Sequence, residues 1–547
     1  MRRHYEKMVK DTEKRVQHSL EMQISYGSDQ GGFCDNNGLV HAKYTIYRLT
    51  TAVAAYCNED SIYYQDPMVL KMIVTALHYV SKKQHEDGLF DLISCNFHSA
   101  PDTAFCIKRL LPYYRCFKKT AETSEEKAIL EKMEKIIRHG AEGLKKGGFH
   151  TPNHRWAIAS VLLECWKLFG DEELKSQAYR YLNEGIDCNE DGEFAERSAG
   201  NYNRINNDAM ITIADSTGDD SYYEYAVRNL WMMMTYMEPD GSNFTANSTR
   251  QDKGKTIYPK DYYIEYLDMG LRRGITEFLD MANTIFDIIE EKGLTTPDML
   301  IHLMNRPELR ELEYDGRIKN WQFERFYKES GIVRIRNNNT SCTLMSGKSG
   351  FLNFSNKTIH LEMKLGVSFC EHRAFQAELL HKEEAGYQLS QTMRGWYYLP
   401  FKDKSETTDW WKMDHSSREK LEGPDMTIEV NAMPTEDGIE LHIKTEGVPD
   451  APMRIEMAVN GAELLQNDSF AIPVTLGESM VLKQGTAVFS NGTDTLEIGP
   501  GFGTHLYTAG KFGSEERSAY AFTLYFTDYT EFDHVITIRS RKKSISQ

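Results

Sequence analysis

Over residues 1 to about 315, apolar positions recur every three to four residues, the spacing of amphipathic helices. The pattern predicts helices over Val69 to Lys82, Thr103 to Lys119, Glu125 to Lys145, Trp156 to Phe169, Glu173 to Gly185, Tyr222 to Tyr236 and Asp261 to Glu291. Asp-Gly turns at 87–88, 191–192 and 240–241 punctuate them. No fixed-period repeat is present. About a dozen helices in antiparallel pairs imply an (α/α) toroid or a large bundle, and a toroid would set one series of loops around a single cavity. Between Arg306 and Ser330 the period changes. In TIHLEMKLGVSF, Ile359, Leu361, Met363, Leu365, Val367 and Phe369 share one face, and MTIEV, IELHIK, MRIEMAV, AYAFTLYF and HVITI repeat the alternation. Asn-Gly at 460–461 and 491–492 marks turns. The expectation is an α-then-β chain: a helical toroid over 1–315 carrying the chemistry, and an antiparallel β-sandwich over 316–547. With no Pro-, Gly- or Ser-rich linker between them, the two are expected to pack closely, with a cleft at the seam.

Three loops of the helical half carry more polar residues than turns require. In GGFHTPNHRWAIASVLLECWKLFG, Thr151 suits an N-cap and Pro152 the first helical position, and Gly170 stops the run. Asn153, His154 and Arg155 then fall in the first turn, where free N–H groups favour an anion and a neutral imidazole. His150 and His154 have metal-pair spacing, but His150 precedes the cap, so no metal is expected there. In DGLFDLISCNFHSAPDTAF, Ser99 and Asp102 read as a capped turn, while Asn96 and His98 are candidates to line a pocket. In DGEFAERSAGNYNRINNDAM, Glu196, Arg197, Ser198, Asn201, Tyr202, Asn203 and Arg204 crowd one loop and helix start, and so many polar groups are costly to bury unless paired or liganded. A fourth stretch contributes Arg250, with Lys253 and Lys255 read as solvated. In the sheet half, His372, Arg373, Arg394 and the aromatics Trp396, Tyr397 and Tyr398 could stack a sugar or hold its acid group.

Composition narrows the classes. The 547 residues carry a net charge of -17, which argues against non-specific nucleic-acid binding while leaving room for a local basic cleft. Nine singly spaced cysteines read as reduced thiols of a cytoplasmic protein. No apolar stretch reads as a signal peptide or membrane span.

The order of parts, with Asn153-His154 in one loop and Asp191-Gly192…Glu196…Ser198…Tyr202 in another, resembles the heparinase II/III-like and alginate-lyase-like polysaccharide lyases. The resemblance covers the whole architecture. It implies β-elimination on a uronic-acid-containing glycan, with Asn153 and His154 binding the uronate carboxylate, Tyr202 as catalytic acid, and in some members also base, and His372 of the sheet domain completing the site. Substrate contacts are expected from Asn96, His98, Arg155, Glu196, Arg197, Arg204, Arg250 and Tyr398. Some members carry a structural zinc near a Gly-His-Gly-His-type segment. This sequence has none, so no metal or other cofactor is carried over. The expected partner is an acidic oligosaccharide, not nucleic acid or membrane, with self-association left open. Two alternatives stand beside this reading: a glycoside hydrolase using Glu196 with Asp191, Asp102 or Asp208, and a non-catalytic carbohydrate-binding protein.

Overall fold

The computed structural model describes residues 1–402 and 406–542. The chain forms two compact units. The first comprises Met1–Met234 and Asn243–Lys319, the second Thr235–Ser242 and Asn320–Gln547.

The first unit is helical. In chain order its helices are α1 (Arg2–Met22), α2 (Ala42–Cys57), α3 (Pro67–Lys83), α4 (Ala100–Thr120), α5 (Ser124–Lys146), α6 (Pro152–Phe169), α7 (Glu172–Leu182), α8 (Tyr202–Thr217), α9 (Ser221–Thr235), α10 (Tyr263–Arg273), α11 (Thr276–Glu291), α12 (Leu300–Asn305) and the single turn α13 (Pro307–Arg310). Local chemistry sets several boundaries. α5 starts with a capping box in which Thr123 and Glu126 satisfy each other's backbone N–H groups. α6 stops where Gly170 turns left-handed at φ +75°. The window from Asp261 to Glu291, expected as one helix, is two: Gly274 at φ +66° ends α10 before α11 begins.

The helices pack as two series. α2, α4, α6 and α8 contact one another in succession, while α3 contacts α5 and α5 contacts α7, each odd member lying against an even one. Burial follows this division. α6 is buried on most sides, from Trp156 through Cys165, whereas α7 buries only Leu174, Ala178 and Leu182.

The second unit contains two nine-stranded sheets. One has at its centre Asp533–Lys542, Gly438–Glu446 and Met426–Pro434. The other is built around Phe522–Tyr529, Pro452–Asn460 and His360–Phe369, with Met363 opposite Met457 and Leu365 opposite Ile455. Among the described residues, pairing is antiparallel except where Ser479–Val481 runs parallel to Phe522–Tyr529 and at the isolated Gly503–Thr527 bridge. The expected alternation is present: Leu361, Met363, Leu365 and Val367 of one sheet join Val430, Ile443 and Ile536 of the other in a single apolar core.

One feature escaped the periodicity. Thr235–Ser242 lies between helical segments in sequence yet belongs to the sheet unit. Its anchor is Arg334, fully buried on the strand Ile332–Asn337. Arg334 Nε donates to the Thr235 carbonyl at 2.9 Å, its Nη2 lies 2.8 Å from Glu238 Oε1, and Nη1 reaches Thr343 Oγ1. Ser341 Oγ donates to the other oxygen of Glu238, which is itself buried. Removing one member of a buried ion pair strands the other, at a cost of about 3–5 kcal/mol. Arg334→Ala should therefore lower unfolding stability by about that amount, read by denaturant titration, where an exposed pair would give a change near zero.

Candidate active site

A cavity of about 1090 Å³ is lined by residues of α2, α4, α6, α8, α10 and α12. It is lined over nearly the whole length of α8, from Asn201 to Ser216, a run of about 22 Å at the helical rise. At one end, side chains from the first turns of α2, α4, α6 and α8 converge: Lys43, Asp102 with Phe105, His154, and Tyr202 with Arg204.

The segments bearing His154, Tyr202 and Arg250 are tied together by Glu196. It is buried, and it accepts from the Asn153 backbone N–H at 3.1 Å and from the Asn153 amide at 2.9 and 2.8 Å. Arg250 Nε lies 3.4 Å from Oε1, and Thr249 Oγ1 donates to the Glu196 carbonyl at 2.9 Å. Burial raises the Glu196 pKa, opposed by the Asn153 hydrogen bonds and by Arg250. A second buried carboxylate finishes the frame: Asp252 accepts from Ser198 Oγ at 2.9 Å, from Ser248 Oγ at 2.6 Å and from the Gly200 N–H at 2.9 Å. Ser198 Oγ in turn accepts from the Tyr202 N–H at 3.1 Å, which holds the start of α8.

On this frame Tyr202 faces the cavity. Its hydroxyl donates to Gln251 Oε1 at 3.2 Å, and the Arg250 guanidinium sits 5.2 Å from its ring centroid. His154 faces the same cavity from α6, with Phe105 and His150 each edge-on at 6.0 Å. Its Nδ1 is buried without a hydrogen-bond partner. Burial pushes the imidazole pKa down to about 4, with Asp102 pulling the other way, so the ring is neutral near pH 7. Asn96 lines the same cavity, its amide 3.4 Å from Asp102 Oδ2.

The remaining expected residues are distributed as follows. Asn153 is fully buried and spends its amide on Glu196 and on Thr151 Oγ1, so it supports the site instead of meeting a ligand's carboxylate. Thr151 occupies the N-cap position without making a side-chain cap, because its hydroxyl is taken by that amide. Glu196, likewise, is a buried tie and not a substrate contact. His98 is exposed and bonded to Asp87 at 2.6 Å, stacked on His85. Arg155 reaches Glu184 at 3.3 Å and the Gly185 carbonyl at 3.1 Å, with its guanidinium over Trp156. Arg197, at φ +50°, pairs with Glu193 at 3.3 Å. Arg204 and Arg250 line the cavity. His372 and Tyr398 belong to the sheet unit. There His372 Nε2 lies 3.1 Å from the Arg394 carbonyl, and Tyr398 is flanked by Arg418 and Lys420. Among the described residues no group of three or more His, Cys, Asp or Glu is placed to hold a metal ion, and no helix is long and apolar enough to cross a membrane.

Sequence reasoning missed much of the lining. Asp102, read as a capping residue and as one possible hydrolase carboxylate, pairs with Lys43 at 2.8 Å. Lys108, paired with Asp208 at 3.0 Å, and Arg109, paired with Asp298, had a readable signal: they interrupt α4 among Ile107, Leu110 and Leu111, all fully buried. A cation inside an apolar run must face a cavity or a partner. His302 and Gln251 gave no comparable signal.

No protein-family model matches the sequence, and no curated protein matches it. Solved structures do. A Paenibacillus xanthan lyase aligns with a TM-score of 0.59 at 10% identity, covering 98% of this chain and 57% of that one. A Streptomyces coelicolor A3 chondroitin AC lyase in complex with chondroitin sulphate aligns at 0.54 with 9% identity, over 98% and 79%. A chondroitinase AC lyase known from enzyme–oligosaccharide complexes aligns at 0.52 with 11% identity, over 98% and 82%. The chain has the fold of these polysaccharide lyases. It spans little more than half the length of the xanthan lyase.

Two measurements follow from this geometry. Asn153→Ala removes the two hydrogen bonds that the side-chain amide gives a buried carboxylate, leaving that of the backbone N–H, and should cost about 3 kcal/mol in denaturant unfolding. For His154 the folded pKa lies below the unfolded value of about 6.5, so the unfolded chain binds the proton first. Stability should then be full above about pH 6.5 and fall as pH drops toward about 4. His4, His41 and His302 shift in the same direction. His154→Gln should thus shrink, without abolishing, the stability gap between pH 7 and pH 4.5.

Proposed function

We propose that this protein is a lyase that cleaves a uronic-acid-containing oligosaccharide by β-elimination. The observation that carries the reading is that a phenol, Tyr202, and a neutral imidazole, His154, enter one cavity from neighbouring helices of a lyase fold. In the proposed step His154 takes the C5 proton, the C4–O4 bond breaks to leave a C4=C5 double bond, and Tyr202 gives its proton to the departing oxygen. A uronate anion bound beside the imidazole would make it a stronger base, since a neighbouring negative charge favours His⁺. Cavity cations would oppose the charge that builds as C5–H breaks. The volume exceeds what one sugar needs, which favours an oligosaccharide.

The finer architecture belongs to the same reading. The two helix series are read as an α/α toroid and the two sheets as a β-sandwich. All nine cysteines are free thiols, which suits a cytoplasmic protein meeting imported fragments.

A hydrolytic reading has one observation in its favour. Among the cavity carboxyls, burial pushes Glu265 well above the usual range, while Lys108 and Arg204 outweigh burial to hold Asp208 below it. Such a split can mark an acid and a base. The two readings separate on one variant. Tyr202→Phe should lower formation of the unsaturated, ultraviolet-absorbing product by about 10²–10⁴-fold with the fold unchanged by circular dichroism. A hydrolase would instead keep its activity and yield saturated sugars.

A further inference from the structure

The cavity is rich in cations, yet they are not equivalent. Lys43 is held by Asp102, Lys108 by Asp208, Arg109 by Asp298 and Arg250 by Glu196. The others are engaged too, through carboxylates or, for Lys167, a backbone carbonyl. Arg204 is the exception: among the described residues it is the one cavity Lys or Arg for which the structure shows neither an ion pair nor a side-chain hydrogen bond. It stands in the first turn of α8, two residues beyond Tyr202, and both side chains line the cavity. A guanidinium carries five donors in a planar fork, and leaving all of them without a protein partner inside a cavity is an unusual arrangement.

Resting on the uronate reading above, we infer that Arg204 is the receptor for the substrate's carboxylate, taking it in a two-point grip in the cavity that Tyr202 also lines, the task that Asn153 is too deeply buried to perform. The fork matches a planar carboxylate in geometry as well as in charge, which a lysine would not. The surroundings keep the charge in place. Burial works against it, and Asp261, Glu265 and Asp208 together outweigh that and raise the arginine's pKa. None of the three occupies the guanidinium itself: Asp208 is bound to Lys108, Glu265, raised by burial, takes a hydrogen bond from Asn207 at 3.3 Å, and Asp261 lines the cavity without forming an ion pair with Arg204. His302, which also lines the cavity, has its pKa lowered by burial and stays neutral, so it adds no rival cation. An incoming carboxylate therefore meets one vacant fork and displaces no existing pair.

The test titrates D-glucuronate and its methyl ester into the full chain by calorimetry or by NMR line broadening, for the wild type, Arg204→Gln and Arg204→Lys. The expected result is that the wild type prefers the acid at least tenfold, Arg204→Gln loses the preference, and Arg204→Lys, which keeps the charge but not the fork, recovers only part of it. Thermal melts establish that the variants are folded, and should Arg204→Gln not fold, Arg204→Lys carries the comparison. A wild type that does not distinguish acid from ester, or variants that keep its preference, would overturn the inference. Formation of unsaturated product is scored separately on a panel of uronate oligosaccharides. Product from the wild type with an unchanged KM in the variants defeats the role of Arg204 alone. Acid-selective binding through Arg204 with no product defeats elimination and leaves the receptor standing.

Discussion

The candidate site depends on one carboxylate kept out of water. Glu196 reaches three stretches of chain that are far apart in sequence: the start of α6 through Asn153, its own loop, and the loop bearing Thr249 and Arg250. Desolvating a carboxylate is costly, and the cost is met only if nearly every lone pair finds a donor. That requirement locks the backbone at Asn153, and hence the facing of His154 on the next residue. It also orients Arg250, whose guanidinium covers the ring of Tyr202. Two side chains proposed to move protons are thus positioned by a third group that touches neither.

The cavity also shows how an acidic protein can host an anion. Its net charge of -17 sits on the molecule as a whole, while the cavity wall interleaves Lys and Arg with Asp and Glu in near-equal numbers. Pairing neutralises most of these at short range, so the local field is set by the few groups left over. One uncompensated charge acts over a longer range than many compensated ones.

Much of the fold was legible because period is a direct image of burial. The alternation over 359–369 and the 3.6-residue recurrence over 156–169 state which side chains face a core, and the structure places them there. The site was less legible, for two reasons. A polar residue at a helix start looks the same whether its side chain meets a cavity, as His154 does, or a neighbouring carboxylate, as Asn153 does. Pairing across the helices, as between Lys43 and Asp102, joins residues 59 apart, and no local pattern encodes it. Arg155 and His98 illustrate the converse: both were credited with ligand contacts on the strength of loop composition, and both are satisfied by nearby carboxylates. The break at Gly274 shows the same limit, since the apolar stripe continues across a residue whose backbone alone turns the chain.

The eight residues Thr235–Ser242 carry a consequence for how this protein can be taken apart. They lie within the helical half of the sequence and complete the buried electrostatics of the sheet unit through Arg334. The two units are therefore interlaced along the polypeptide. No single scission yields both intact, and during synthesis the ribosome must release the later strands before the earlier octapeptide can find its buried counter-charge. A gene fusion or recombination event that exchanged one unit for a homologue would have to carry two separate stretches together, which makes this pair of modules heritable as one piece.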